Sequence, residues 1–359
     1  MRTEVCKLLS DKFPRGAVRQ HVDDGKAFDL AFWRRLGEMG WLGIAIPEQY
    51  GGSALGYEPL CMIAEELGAS LAPVPFASTF YLGVEALLAF GSEAQKRTLL
   101  PRIAAGEIVM AAAIAEGQGD PAADAVGARL NDGRISGNKL PVMDGNIADL
   151  FLVLALGEDG EATLALVEGK ASGVVRTALD TIDLVRGAER LELNSAPADP
   201  LPGAIGWPAI EQWLDRAAIL FAFEQVGGAR AALDMAADFA RERFAFGRAI
   251  GSFQAIKHKL ADVYVATELA RSNAYYGAWA LETGANDLAV AAAAARVAAS
   301  DGFSLAAREN IQTHGGMGFT WESDCHLHYR RARELALVVG SPRYWRRRLI
   351  SKLDAAGRE

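Results

Sequence analysis

Residues 241–254 read RERFAFGRAIGSFQ. The stretch lies between two long runs of helical periodicity, so it forms a helix–helix corner. Arg243 ends one helix, Gln254 begins the next, and Gly247 and Gly251 let the backbone turn tightly between them. A guanidinium is planar and bidentate toward phosphate. With a ring and an amide beside it, such a corner can hold a pyrophosphate and a neighbouring adenosine. Taken alone, the stretch reads first as a solvated loop with Phe244, Phe246 and Phe253 as core plugs.

The surrounding chain has 359 residues, 51% of them hydrophobic, enough for two or three domains. A net charge of −8 argues against nucleic acid as the main partner, while leaving room for local cationic sites. Cys6, Cys61 and Cys325 are scattered and show no CxxC spacing. No disulfide framework or metal site is expected, and a cytoplasmic setting fits. The first residues carry no apolar core of a signal peptide, and no membrane span is expected.

Periodicity divides the chain in three. Residues 1–108 read as helices, with Phe28, Leu30, Phe32, Trp33, Leu36 and Met39 mainly on one side and a Ser92/Gln95 capping box. Residues 109–205 break into short β-rich runs joined by turns at Asn131-Asp132-Gly133 and 157–160, an antiparallel sheet domain. Residues 206–359 return to long amphipathic helices, expected to form a four-helix bundle. The predicted class is mostly α with a middle antiparallel β domain.

A second glycine-rich device follows at 311–324, IQTHGGMGFTWESD. Gln312 ends a helix, and Gly315, Gly316 and Gly318 open a backbone loop that can present N–H groups to an anion. Gly315 could equally be a simple helix stop. With WLGIAIPEQYGG in the first domain, the spacing RxxFGx6Q and the later QxxGGxG, the chain resembles the acyl-CoA dehydrogenase family over almost its whole length. The resemblance implies FAD as cofactor and acyl-CoA as substrate. It also implies a helical, β-barrel-like, four-helix-bundle fold, and it makes an electron-transfer flavoprotein a candidate partner. It assigns Arg243, Phe246, Gln254, Gln312, Gly315 and Gly316 to the ADP half of a FAD shared with a neighbouring subunit.

Against that family pattern the sequence departs on one side only. The usual glutamate base falls at Val339, and the alternative position is Ala217. Asp215, Glu224 and Glu334 are the nearest acids, none with the expected spacing, each expected to be solvated or salt-bridged. The segments expected to touch the flavin ring read IAEGQGD, KLPVMDG and Gly340-Ser341-Pro342, with Pro141 at the aromatic and Met143 at the hydroxyl position. The reading favours a non-catalytic subunit of a heteromeric α2β2 acyl-CoA dehydrogenase, tetrameric with a homologous partner and associated with sterol-derived or other bulky acyl groups. The alternatives are an active homotetramer with a non-standard base, perhaps Asp215 or Glu334, and a redox-inactive scaffold. His258, His314, His326 and His328 read as structural, and 343–352 as a solvated, subunit-facing helix end.

Overall fold

The computed structural model describes residues 2–14, 16–25 and 28–356. The first layer is helical: α1 (Arg2–Lys12), α2 (Ala17–Asp23), α3 (Leu30–Glu38), α4 (Tyr57–Ser70), a π-helical turn (Ala77–Val84), α5 (Glu85–Phe90) and α6 (Glu93–Ala104). Asp29 caps α3 by accepting from the Phe32 N–H. This helix buries Phe32, Trp33 and Leu36, while Leu30 and Met39 face solvent, so its buried stripe is narrower than expected. Ser92 and Gln95 form the reciprocal capping box that opens α6.

A sheet follows: β1 (Met110–Ala113), β2 (Arg129–Asn131), β3 (Arg134–Met143), β4 (Leu150–Leu156), β5 (Ala162–Glu168), β6 (Val174–Leu179), β7 (Ala188–Pro197) and β8 (Asp199–Ile205). The strand order is β6-β7-β3-β2-β4-β5-β8, with β1 also on β4. Asp132 and Gly133, both left-handed, make the tight β2–β3 turn. The sheet is not wholly antiparallel: β1 and β2 run parallel to β4, because neither is joined to it by a hairpin. β4 is apolar on both faces. Leu150, Leu152 and Leu154 enter the core shared with the helices, while Phe151, Val153 and Ala155 fill a core internal to the sheet.

The bundle comprises α7 (Gly206–Glu242), a two-residue hairpin β9 (Phe244–Ala245) and β10 (Arg248–Ala249), α8 (Gln254–Thr283), α9 (Leu288–His314), α10 (Cys325–Leu335) and α11 (Pro342–Ala356). The fourth helix is broken: α10 stops at Leu335, and α11 restarts at Pro342, whose fixed φ suits a first turn. Residues 343–352 have two sides: Trp345 is fully buried and Arg348 nearly so, while Arg343, Arg346, Arg347 and Ile350 are exposed. The stretch Leu288–Phe319 is long and apolar enough to cross a bilayer, yet half buried. Its alanines pack against α7 and α8, as in a core helix.

α7 is the spine. It crosses α4 with backbone against backbone: a Cβ on Gly68 would stand 2.0 Å from the Glu224 carbonyl oxygen, and one on Gly227 1.7 Å from that of Glu65. Gly228 is filled from the other side by the Phe303 ring of α9. Helix propensity alone would make Gly227→Ala stabilising by ~1 kcal/mol. The crossing reverses the sign: the variant is expected to lose ~1–3 kcal/mol or more in urea unfolding, and a gain in stability would contradict this crossing.

Candidate functional site

The antiparallel bundle brings the end of α7, the start of α8 and the end of α9 to one pole. The Phe239 ring stacks on His314 at 4.1 Å, joining the first to the third. All six residues singled out at the corner and the glycine loop (Arg243, Phe246, Gln254, Gln312, Gly315 and Gly316) lie at this pole, and all six are exposed. Phe246 and Gly247 are the two turn residues of the β9–β10 hairpin, both left-handed, with φ +52° and +78°. An aromatic residue there is strained, yet its side chain is 95% exposed. It meets Phe253 edge-on at 6.2 Å, and Arg248 lies over the Phe253 ring at 4.0 Å. The plug reading therefore fails for Phe244 and Phe246, both exposed. A strained turn thus holds a ring and a guanidinium in water at this pole.

The three segments expected at a flavin ring also converge, at the seam between sheet and bundle. The Gly117 N–H donates to the Leu140 carbonyl and the Leu140 N–H to that of Ala115, so 114–120 lies along the end of β3. The Ser341 N–H donates to Asp120 Oδ1 at 2.8 Å. Glu116 survives in a structural role: it takes Lys139 Nζ at 2.7 Å and the N–H groups of Gly127 and Ala128. Despite its burial, these partners hold Glu116 below the usual carboxylate range. Asp120 places a carboxylate at the N-terminus of α11, where the helix dipole favours an anion. Pro141 has no N–H and Met143 no hydroxyl.

Below Met143 the seam is filled with charge. Arg186 Nη1 is 3.9 Å from Met143 Sδ, and its Nη2 donates to Glu224 Oε1 at 2.7 Å. Arg331 of α10 donates to the same Glu224 oxygen at 3.2 Å and also to Asp183. Arg186, Glu224, Arg331 and Asp183 are all buried. Of the four, the sequence draws attention only to Glu224, as a nearby acid, because arginines and acids at these spacings look like surface charge.

Residues 1–107 match the acyl-CoA dehydrogenase N-terminal domain and residues 205–352 its C-terminal domain. The acyl-CoA dehydrogenase IpdE2 of Mycobacterium tuberculosis is 33% identical over 98% of this chain and 96% of its own length. The chain belongs to the acyl-CoA dehydrogenase family. Among solved structures, the Tcur3481–Tcur3483 steroid ACAD superposes with a TM-score of 0.88 at 31% identity, covering 100% of this chain and 99% of that one. The ChsE4–ChsE5 complex of Mycobacterium tuberculosis superposes at 0.88 with 28% identity, over 98% and 97%. The family is FAD-dependent, and its members are oxidoreductases.

For an acyl-CoA dehydrogenase the decisive group is a carboxylate over the substrate. Ala217 is fully buried in the α7 core, and Val339 nearly so. Asp215 and Glu224 are buried and salt-bridged, while Glu334 is half-buried beside Asp183. Burial pushes Asp215 up to about 6, a value suited to a base, but both its oxygens are taken by Arg348, at 2.7 and 2.5 Å. Glu224 lies between its two arginines. Burial, then the charge of Asp183, pushes Glu334 well above the carboxylate range, so it keeps a proton shared with Asp183. Asp183, although buried, is held low by Arg331.

This arrangement has a pH signature. The folded-state value of Glu334 lies above its unfolded value of ~4.3. The stability it holds is therefore complete below that pH and drains as pH rises toward the folded value. Glu334→Gln keeps an N–H for Asp183 and cannot ionise. Its unfolding temperature is expected to fall less than that of the wild type between pH 5 and 8; parallel curves would mean that Glu334 is ionised throughout.

Proposed function

We propose that this chain is the non-catalytic subunit of a heteromeric acyl-CoA dehydrogenase. In this reading it completes the FAD site of a homologous catalytic partner and lacks its own. The single observation that carries it is the contrast between two ends of one dinucleotide. At the bundle pole, Arg243, strained and exposed Phe246, Gln254, Gln312, Gly315 and Gly316 fit the ADP half and are exposed within one chain. At the seam, the residues do not fit a flavin ring: Pro141 and Met143 supply no donor side chain, Asp120 occupies a helix N-terminus, and paired charge fills the space below.

Other features support assembly. α8 exposes Tyr264, Val265, Leu269, Tyr276 and Trp279 along one side, an apolar face of the kind that marks a subunit interface. The likeness to the ChsE4–ChsE5 complex and to a steroid acyl-CoA dehydrogenase supports a tetramer of two homologous chains acting on steroid-derived acyl-CoA. The likeness at TM-score 0.89 and 25% identity to a structure described as an electron transferring flavoprotein of Acidaminococcus fermentans keeps that class as a candidate electron acceptor. The homotetramer reading is disfavoured because Asp215 and Glu334 are both engaged. A pure scaffold has no use for a strained Phe246.

The test is expression alone and together with a co-encoded homologue that carries an intact glutamate. The lone chain is expected to be colourless and inactive, and the complex yellow and active on an acyl-CoA. Arg243→Ala in the complex is expected to remove most of the flavin while leaving the subunits associated. FAD and turnover in the lone chain would overturn the reading.

A further inference from the structure

The glycine loop at the bundle pole hangs between two posts. Upstream, His314 stacks on Phe239 of α7. Between the posts the loop is open: a Cβ added at Gly315 or Gly316 would meet no heavy atom within 4 Å. Glycine backbone has more conformations open to it than any other, so the shape of this segment is set at its ends. Downstream, residues 321–324 are gripped by α2, a helix of the first domain. Arg19 Nη1 donates to Asp324 Oδ1 at 2.9 Å, across 305 residues of chain, and to the Glu322 carbonyl. The Gly16 N–H donates to Asp324 Oδ2 at 2.8 Å. The Trp321 Nε1–H donates to Asp23 Oδ1 at 3.0 Å. The Trp321 ring stacks on His326, centroids 4.9 Å apart, which sets the indole between α2 and α10.

α2 depends on this seat as much as the loop does. It is seven residues long, and a helix so short does not hold its shape in water alone. Its N-cap is Gly16, left-handed at φ +81° and without a capping side chain. Its apolar anchor is a small cluster apart from the main core: Val18 packs with Leu71 at the end of α4, Val185 of the β6–β7 loop and Leu327 of α10. The Arg19–Asp324 pair is partly exposed, and one such pair contributes little by itself. The grip comes from these contacts acting together, so helix and loop order as one cooperative unit.

We propose that α2 is a clasp: seated on Trp321, Glu322 and Asp324, it fixes the glycine loop, and Arg19 and Asp23 are positioning residues for the pole. The occupant of the pole rests on the proposed function, as the far half of the partner's FAD; the clasp itself does not. A ligand of the pole binds only as well as the seated fraction allows, so release of α2 weakens the hold without touching any residue that contacts the ligand.

The test is hydrogen–deuterium exchange of the lone chain, read by mass spectrometry, in wild type, Arg19→Ala, Arg19→Lys and Asp324→Asn. In Arg19→Ala and Asp324→Asn, residues 16–24 and 315–324 are expected to exchange about tenfold faster, and together, while α4 and α7 stay protected and the unfolding temperature stays near wild type. Arg19→Lys keeps a cation for Asp324 and is expected to stay close to wild type. Opening of 16–24 without 315–324, or unchanged exchange in both, overturns the clasp. In the complex with the catalytic partner, Arg19→Ala is expected to release FAD about tenfold faster than Arg19→Lys; equal release overturns the positioning role. The exchange measurement involves no flavin, partner or turnover. A lone chain that proves yellow and active, yet opens both segments together in Arg19→Ala, would end the subunit reading and leave the clasp standing.

Discussion

A single buried carboxylate organises the seam between sheet and bundle. Glu224 sits on the spine helix with no exposed surface and takes one guanidinium from the sheet side, Arg186, and one from α10, Arg331. Desolvating such a group costs several kcal/mol and is offset only when it is well paired. Removing one arginine would strand a charge, at ~3–5 kcal/mol. The group must therefore stay complete, and while it does, Arg186 remains under Met143 and Arg331 beside Asp183.

The loop between α10 and α11 holds a strained backbone around an apolar side chain. Val339 is left-handed, at φ +57°, an outlier for a β-branched residue. Arg296 holds the segment by donating to the carbonyls of Leu335 and Val338 and to Gln225. A strained residue persists only where its surroundings over-determine it, and here they do so for an apolar side chain. Phe246 is the opposite case: equally left-handed, but exposed, so its strain has no packing return within the chain. One outlier belongs to the folded core and the other faces whatever docks at the pole.

Much of this was legible in the sequence wherever a local rule decides the outcome. The capping box, the Asp132-Gly133 turn, the change from a period near four to a period of two, and the glycine-flanked corner each depend on a few neighbouring residues. What was hidden depends on long-range pairing. Asp183 and Arg331 are 148 residues apart and meet only because the sheet docks on the bundle. Asp120 caps a helix 221 residues away. Leu30 and Met39 have helical spacing but fall outside the narrow stripe that α3 buries. The stacking of Trp321 on His326 is local, five residues apart, and could have been suspected from the turn between them.

The central claim is that FAD bridges two unlike chains, its ring in the partner and its far end here. The most direct measurement is the flavin content of the purified complex against the amount of each chain, from absorbance of released FAD and quantitative amino-acid analysis. The account predicts half as many FAD molecules as polypeptides. One FAD for every chain would show that this subunit also seats a ring, and would contradict it.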